Sequence, residues 1–375
     1  MPTQVYLRGK TVLDAARERI RFVFDQFDDI QVSVSGGKDS TVLAHLALQE
    51  ARRRNRKVGM FFLDEEVVYQ STVEQIDYLM TLAPQHTNRL WLQIPFRLTN
   101  AASLTQSQLI CWEPGKHKQW MRPKQPYGIK APPWDQKTQT VRDKNKGFGF
   151  YDVIENWERA HRSTAFLVGL RATESMNRWR TMAKWPVDIG GEKTYWATAK
   201  GQNTALYPIY DWNFSDAWKY IHQEGLKYSR IYDHQHRKGM SITEIRLSSL
   251  IHERSFKAIC ELPEFEPKTY ERLCRRVKGM EFAQETAKTS KMFRARKLPK
   301  GYTSWRTYRD FLLATYPDPN LRQVFERRFT RHLDNEYVAR QQCRQLVCND
   351  YENNLAVQNK PDPRDALIQY YMENL

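Results

Sequence analysis

Six consecutive residues, Ser35-Gly36-Gly37-Lys38-Asp39-Ser40, hold the parts needed to grip an anion. Adjacent glycines allow a sharp turn and leave backbone N–H groups uncovered by side chains. Ser35 and Ser40 add hydroxyls, and Lys38 adds a point charge. Asp39 is out of place beside an anion unless it caps backbone N–H groups or shares a Mg2+ ion with a phosphate. The loop is not a Walker A motif. Asp39 follows Gly37-Lys38 where Ser or Thr is required, and Val32 stands where the first glycine belongs.

Two other places carry related chemistry. Asp64 closes the apolar run from Lys57 to Leu63, where a carboxylate is either a strand-end cap or a metal ligand. Arg171 and Arg178 are seven residues apart with Glu174 between them, so on one continuous helix the three share a face. Guanidinium forks suit phosphate or sulfate oxygens, and Glu174 can orient one of them. The alternative is a solvated Arg–Glu–Arg ladder that contributes little.

The elements that would position these residues alternate along the chain. An amphipathic helix over 11–29 precedes a β-prone run, Gln31 to Val34, that leads into the glycine loop. Helical spacing resumes from Asp39 to Arg53, with Val42, Leu43, Leu46 and Ala47 on one face. Buried strands follow over Lys57 to Leu63 and Leu90 to Phe96, with a helix over 70–82 between them. A helix over 151–162, a strand from Ala165 to Leu170 and a helix from Phe214 to His222 complete the pattern. Such alternation predicts an α/β fold with a mainly parallel sheet covered on both faces. Ligands of such sheets bind beyond the carboxyl ends of the strands, near a topological switch point. The glycine loop, Asp64 and Arg171 all fall at strand ends. A helix N-terminus opening at the loop favours anions further. Residues 1–224 are expected to form this domain, and 225–375 a mostly helical, basic region.

Composition narrows the setting. The chain has 375 residues, 41% hydrophobic and 27% charged, within globular norms. Neither a secretory leader nor an apolar stretch of about 20 residues is evident, so a cytoplasmic protein without membrane contact is expected. Five cysteines are too few for a disulfide framework. The net charge of +16 is concentrated in residues 97–150, at +7, and 268–345, at +11. The first of these segments is Pro-rich and aperiodic, an insertion that interleaves Trp112, Trp120, Tyr127, Trp134, Phe148 and Phe150 with lysines and arginines. That pattern suits a single-stranded nucleic acid, DNA or RNA, or else rings that pack the segment onto the core. Arg272, Arg275, Arg276, Lys278, Arg294, Arg296, Lys297, Arg327, Arg328 and Arg331 would give the second segment a basic helical face.

Four motifs in order resemble those of PP-loop ATP pyrophosphatases and phosphoadenosine phosphosulfate (PAPS) reductases. They are the glycine hexapeptide, Phe62-Leu63-Asp64, Gly169-Leu170-Arg171-Ala172-Thr173-Glu174-Ser175 with Arg178, and Tyr207-Pro208-Ile209-Tyr210-Asp211-Trp212 leading to Asp216, Trp218, Tyr220 and Ile221. The resemblance spans roughly residues 30–250 and implies a Rossmann-like, doubly wound sheet of the HUP/PP-loop type. It implies an adenine nucleotide, ATP, bound by Ser35, Gly36, Gly37, Lys38, Asp39, Ser40, Gly169, Arg171, Glu174 and Arg178. Lys38, Asp39 and Asp64 would be catalytic, with Mg2+ near Asp39 and Asp64, and the α–β bond would be cleaved to an adenylate and pyrophosphate.

The resemblance also carries a departure. Assimilatory reductases of this kind use a C-terminal Glu-Cys-Gly-x-His motif that is missing here. Cys111, Cys260, Cys274, Cys343 and Cys348 are scattered, so no iron–sulfur cluster is expected, and a metal site built from the last four has no motif spacing. The segment Lys238-Gly239-Met240-Ser241-Ile242-Thr243 lacks the cysteine that relatives often carry, and Asp233-His234-Gln235-His236 reads as a polar loop. The layout resembles a branch without the reductase cysteine that includes immunoglobulin-binding regulator A-type proteins, often linked to a ParB-like partner. Other PP-loop relatives modify tRNA or phosphorothioate DNA. A nucleotide-dependent regulator is therefore the alternative to an enzyme.

Overall fold

The computed structural model describes residues 9–103, 106–142, 147–182, 185–241, 245, 247, 249–252, 256–281, 283–284, 298–353 and 355–360. The chain divides into two compact units that alternate along the sequence. The first contains residues 1–64, 70–94 and 123–247; the second contains 65–69, 95–122 and 248–375.

In the first unit, α1 (Val12–Gln26) starts at a Thr11/Asp14 capping box and buries Ala16, Ile20, Val23 and Phe24. Then come β1 (Asp29–Ser33), α2 (Lys38–Arg53), β2 (Val58–Leu63), α3 (Gln70–Thr81) and β3 (Thr87–Leu92). The second unit takes up β4 (Phe96–Thr99) and β5 (Gln108–Cys111), an antiparallel pair. The chain returns to the first unit with α4 (Phe150–Ala160), β6 (Thr164–Val168), α5 (Met176–Met182), the small pair β7 (Val187–Ile189) and β8 (Glu192–Thr194), then β9 (Ala197–Lys200) and β10 (Asn203–Leu206). The unit ends with α6 (Phe214–Gln223) and α7 (Ile231–Arg237).

The main sheet has the order β3-β2-β1-β6-β10-β9, parallel throughout except for the β10–β9 edge. All six residues of β2 are buried, as expected of a parallel strand covered on both faces. Strand order reverses at β1, which pairs with β2 on one side and β6 on the other. Ser33 is in register with Val168, so the chain leaves both strands at the same edge. This is the topological switch point of a doubly wound sheet.

Three expectations need correction. The third strand starts at Thr87 rather than Leu90 and stops at Leu92; pairing with β2, Val58 to Thr87, draws polar residues into it, and Pro95 lacks the N–H to continue. The antiparallel pair β9 and β10 was not expected, because four-residue strands carry too little alternation to read. The segment 97–150 is no single aperiodic insertion: it contains β4, β5 and a 3-10 turn over Pro114–Gln119, and it is shared between the units.

The second unit adds α8 (Phe256–Phe265), α9 (Pro267–Arg276), α10 (Trp305–Ala314), α11 (Pro319–Phe329) and α12 (Glu336–Val347). Leu321, Phe325, Phe329, Leu346 and Tyr351 form a cluster in it. Glu66, fully buried, receives Arg276 Nε at 2.6 Å and Nη2 at 3.0 Å, and the backbone N–H groups of Trp112 at 2.6 Å and Met121 at 3.3 Å. One carboxylate thus ties α9 to the chain around β5. Among the described residues no helix is long and apolar enough to cross a membrane.

Candidate functional site

The glycine loop leaves β1 at the switch point and opens α2. Gly36 takes φ +73°, and a Cβ on it would meet the Thr72 methyl at 3.0 Å and the Thr72 carbonyl at 3.2 Å, so only glycine fits. Gly37 caps α2 in an extended conformation with no side-chain hydrogen bond. Ser40 Oγ donates to the Gly37 carbonyl at 3.0 Å and accepts from Ser35 N–H at 3.2 Å. The two serine hydroxyls, 3.1 Å apart, therefore hold the loop closed.

Asp39 is the centre of a charge cluster. Lys38 Nζ lies 2.9 Å from one of its oxygens and Arg171 Nε 2.8 Å from the other. The three side chains are between 5% and 13% exposed. Two cations share one carboxylate, leaving a net positive charge beside the first turn of a helix. Asp39 sits between Lys38 and Arg171 and fixes both cations. Gly169, at the end of β6, lets these elements meet. A Cβ there would stand 3.0 Å from the Asp39 carbonyl carbon and the Ser40 nitrogen, both backbone atoms.

The segment from Tyr207 to Trp212 braces Arg171. The Tyr210 carbonyl accepts Ala172 N–H at 2.8 Å, and the Trp212 carbonyl accepts the Thr173 hydroxyl at 3.3 Å. Arg19 of α1 holds Asp211 through two bonds of 2.8 and 2.7 Å, a buried pair. The Lys38 ammonium lies 5.1 Å from the Phe214 ring centroid and 5.9 Å from that of Tyr232. Tyr232 was not singled out in the sequence; its hydroxyl accepts the Lys38 N–H at 3.1 Å across 194 residues of chain.

Glu174 pairs with Arg178, and Asp64 accepts from Trp91 and Gln93, all outside the Lys38–Asp39–Arg171 cluster. Arg171, Glu174 and Arg178 do not share one helix: Arg171 caps a 3-10 turn over Ala172–Glu174, and Ser175 is extended before α5 begins. Arg171 is buried on Asp39, while Glu174 and Arg178 are exposed and 3.7 Å apart. Asp64 is fully buried and accepts from Trp91 Nε1 at 2.7 Å and Gln93 Nε2 at 2.9 Å. A magnesium ion bound directly to Asp39 would have to displace Lys38 or Arg171, whereas the bonds from Trp91 and Gln93 both fall on one of the two oxygens of Asp64. Among the described residues no group of three or more His, Cys, Asp and Glu could hold a metal.

The polar sequence from Asp233 to His236 is helical, within α7, rather than a loop. Ile242 and Thr243 lie outside the described residues, as do Arg294, Arg296 and Lys297. Cys343 is buried, and burial pushes its thiol up to about 12, unlike a reactive thiolate. Of the six rings of 97–150, Trp112 and Trp134 are buried and the other four half-buried, with Tyr127 donating to Asp77 at 2.5 Å; none is fully exposed. The second segment has no uniform basic face either, since Arg276 is buried on Glu66 and Arg328 donates to the carbonyls of Asp350 and Tyr351.

A glycine loop that joins a strand to a helix at the switch point of a doubly wound sheet is the arrangement expected from the motifs. Residues 29–239 match the phosphoadenosine phosphosulfate reductase domain, and the chain belongs to that family. Residues 239–342 match a second family described as Domain of unknown function (DUF3440). The Uncharacterized protein YbdN of Escherichia coli (strain K12) is 27% identical over 320 residues, 82% of this chain and 76% of YbdN. Among solved structures, the PAPS reductase of Candida auris, in a phosphate complex, is similar with a TM-score of 0.33 and 11% identity over 62% of this chain and 94% of that one. The U34-tRNA thiolase NcsA of Methanococcus maripaludis, with its 4Fe-4S cluster, matches with a TM-score of 0.32 and 12% identity over 73% and 79%.

Proposed function

We propose that this chain binds ATP, or a closely related adenine nucleotide, by its phosphates at the Ser35–Ser40 loop, and cleaves the α–β bond to leave an adenylate and pyrophosphate. The observation that carries the reading is the packing of Gly169 against Asp39 and Ser40, which brings Arg171 onto Asp39 beside Lys38 and the first turn of α2. Loop N–H groups and the Lys38–Asp39–Arg171 cluster hold the phosphate chain and offset its charge. An acceptor oxygen forms a bond to the α-phosphorus as the bond to the α–β bridging oxygen breaks. Pyrophosphate leaves with that oxygen, and the acceptor proton passes to solvent. Gly169 shapes the cradle, and Glu174 and Arg178, both exposed, are assigned to the acceptor side. Magnesium, when bound, supplies charge neutralisation on the phosphates. Asp39 and Asp64 would be the carboxylates nearest to hand for such an ion, Asp39 being held by Lys38 and Arg171 and Asp64 by Trp91 and Gln93 at the end of β2.

The acceptor is proposed to be, or to be carried by, a nucleic acid drawn by the basic segments 97–150 and 268–345. What supports this is chiefly charge, since none of the six aromatic rings is fully exposed. The test is incubation of purified protein with Mg2+ and α-32P-labelled ATP, with and without DNA, RNA or sulfate. Labelled AMP or an adenylated product that disappears in Lys38→Ala is expected. Tight binding without cleavage under every condition would favour the nucleotide-dependent regulator with a ParB-like partner.

A further inference from the structure

Tyr232 lies at the phosphate loop on the first turn of α7, and neither its burial nor its aim is explained by packing alone. The residue is 5% exposed, its hydroxyl oxygen is 3.1 Å from the Lys38 nitrogen, and a Cβ on Gly37 would stand 3.3 Å from that oxygen. Its ring is fixed edge-on against Trp218, with centroids 5.1 Å apart and planes at 85°. A phenol hydroxyl accepts through its lone pairs and has one proton to donate. Lys38 N–H satisfies the acceptor side; among the described residues no acceptor takes the proton. Burial raises the phenol far above its usual value, so the proton stays on the oxygen. A buried donor without a partner is costly unless something arrives to accept from it.

We propose that Tyr232 is a phosphate-binding residue of this site, its hydroxyl accepting the Lys38 N–H and donating its own proton to a phosphoryl oxygen of the nucleotide. The proposal rests on the reading of the loop as a nucleotide phosphate site and adds a residue that the loop motif does not contain. The group it takes must present an acceptor lone pair, which a phosphate oxygen does and a protonated amine does not.

The test is calorimetric titration of the full chain and its Tyr232→Phe variant with ATP, inorganic pyrophosphate and adenosine at one salt concentration, with thermal unfolding of both proteins alongside. The variant is expected to bind ATP and pyrophosphate about tenfold more weakly or worse, the loss typical of one hydrogen bond to a charged group. Its behaviour toward adenosine should match the parent, and its unfolding midpoint should fall only modestly, by the loss of the Lys38 N–H bond. Unchanged or tighter pyrophosphate binding in the variant would overturn the proposal, because the hydroxyl would then be idle or in the ligand's way. An equal loss toward all three ligands would overturn it too, as that reports a structural role. If the parent binds neither ATP nor pyrophosphate, the underlying reading falls with it.

Discussion

Replacing Gly169 with alanine would put a carbon about 3.0 Å from two backbone atoms of the Asp39–Ser40 peptide, neither of which can swing aside. We predict that Gly169→Ala costs about 1–3 kcal/mol of stability, the range for overpacking a tight contact. It should also weaken ATP binding, because the relief must come from moving Arg171 or the start of α2. Urea unfolding and an ATP titration of the same variant check both halves; normal binding with lost stability would show that the contact is structural only. The glycine hexapeptide was legible in the sequence because everything it needs is contiguous. The roles of its residues were not. Ser35 and Ser40 read as ligand donors, yet their hydroxyls face the loop itself. Tyr232 was invisible because nothing local marks it and only the return of α7 to α2 brings it to Lys38.

Between elements, polar pairs join the helices to the site. Arg19 on α1 and Asp211 before α6 are both buried, so Arg19→Ala leaves a carboxylate without its cation. The expected cost is about 3–5 kcal/mol, read as a drop in the urea midpoint. His45 of α2 meets the Tyr220 hydroxyl of α6 at 2.9 Å, and burial holds its imidazole below the usual value. Unfolded, His45 gains a proton near pH 6.5, at about its ordinary value; folded, it does so only at lower pH. The unfolded chain therefore binds more protons in that window, so this contribution is complete above about pH 6.5 and is lost as pH falls through the folded value. His45→Gln should lose less stability than the parent between about pH 7.5 and 5.5; equal losses would remove His45 as a cause. Long periodic or strongly apolar segments such as α2 and β2 were legible. The shared Arg171–Arg178 face depended on one continuous helix, and spacing alone cannot reveal that Ser175 turns extended.

Across the whole chain the charge of +16 sets how it meets polyanions. With none of the six rings of 97–150 fully exposed, any nucleic acid contact is led by lysine and arginine rather than by stacking. We predict oligonucleotide binding that does not distinguish DNA from RNA and weakens steeply between about 50 and 200 mM salt. Fluorescence anisotropy at several salt concentrations checks this; salt-insensitive binding would mean that bases are being read. The two-unit partition was only half legible. The sequence shows an α/β portion followed by helices, but residues 65–69 and 95–122 join the second unit through contacts made far along the chain, such as Glu66 with Arg276.

We propose that the Ser35–Ser40 loop holds the phosphates of an adenine nucleotide. Calorimetric titration of the full chain with ATP, compared with Lys38→Ala, tests it most directly. Saturable binding that falls at least tenfold in the variant, while inorganic pyrophosphate competes with ATP, is the predicted result. Equal affinity in parent and variant, or competition by adenosine but not by pyrophosphate, would contradict it.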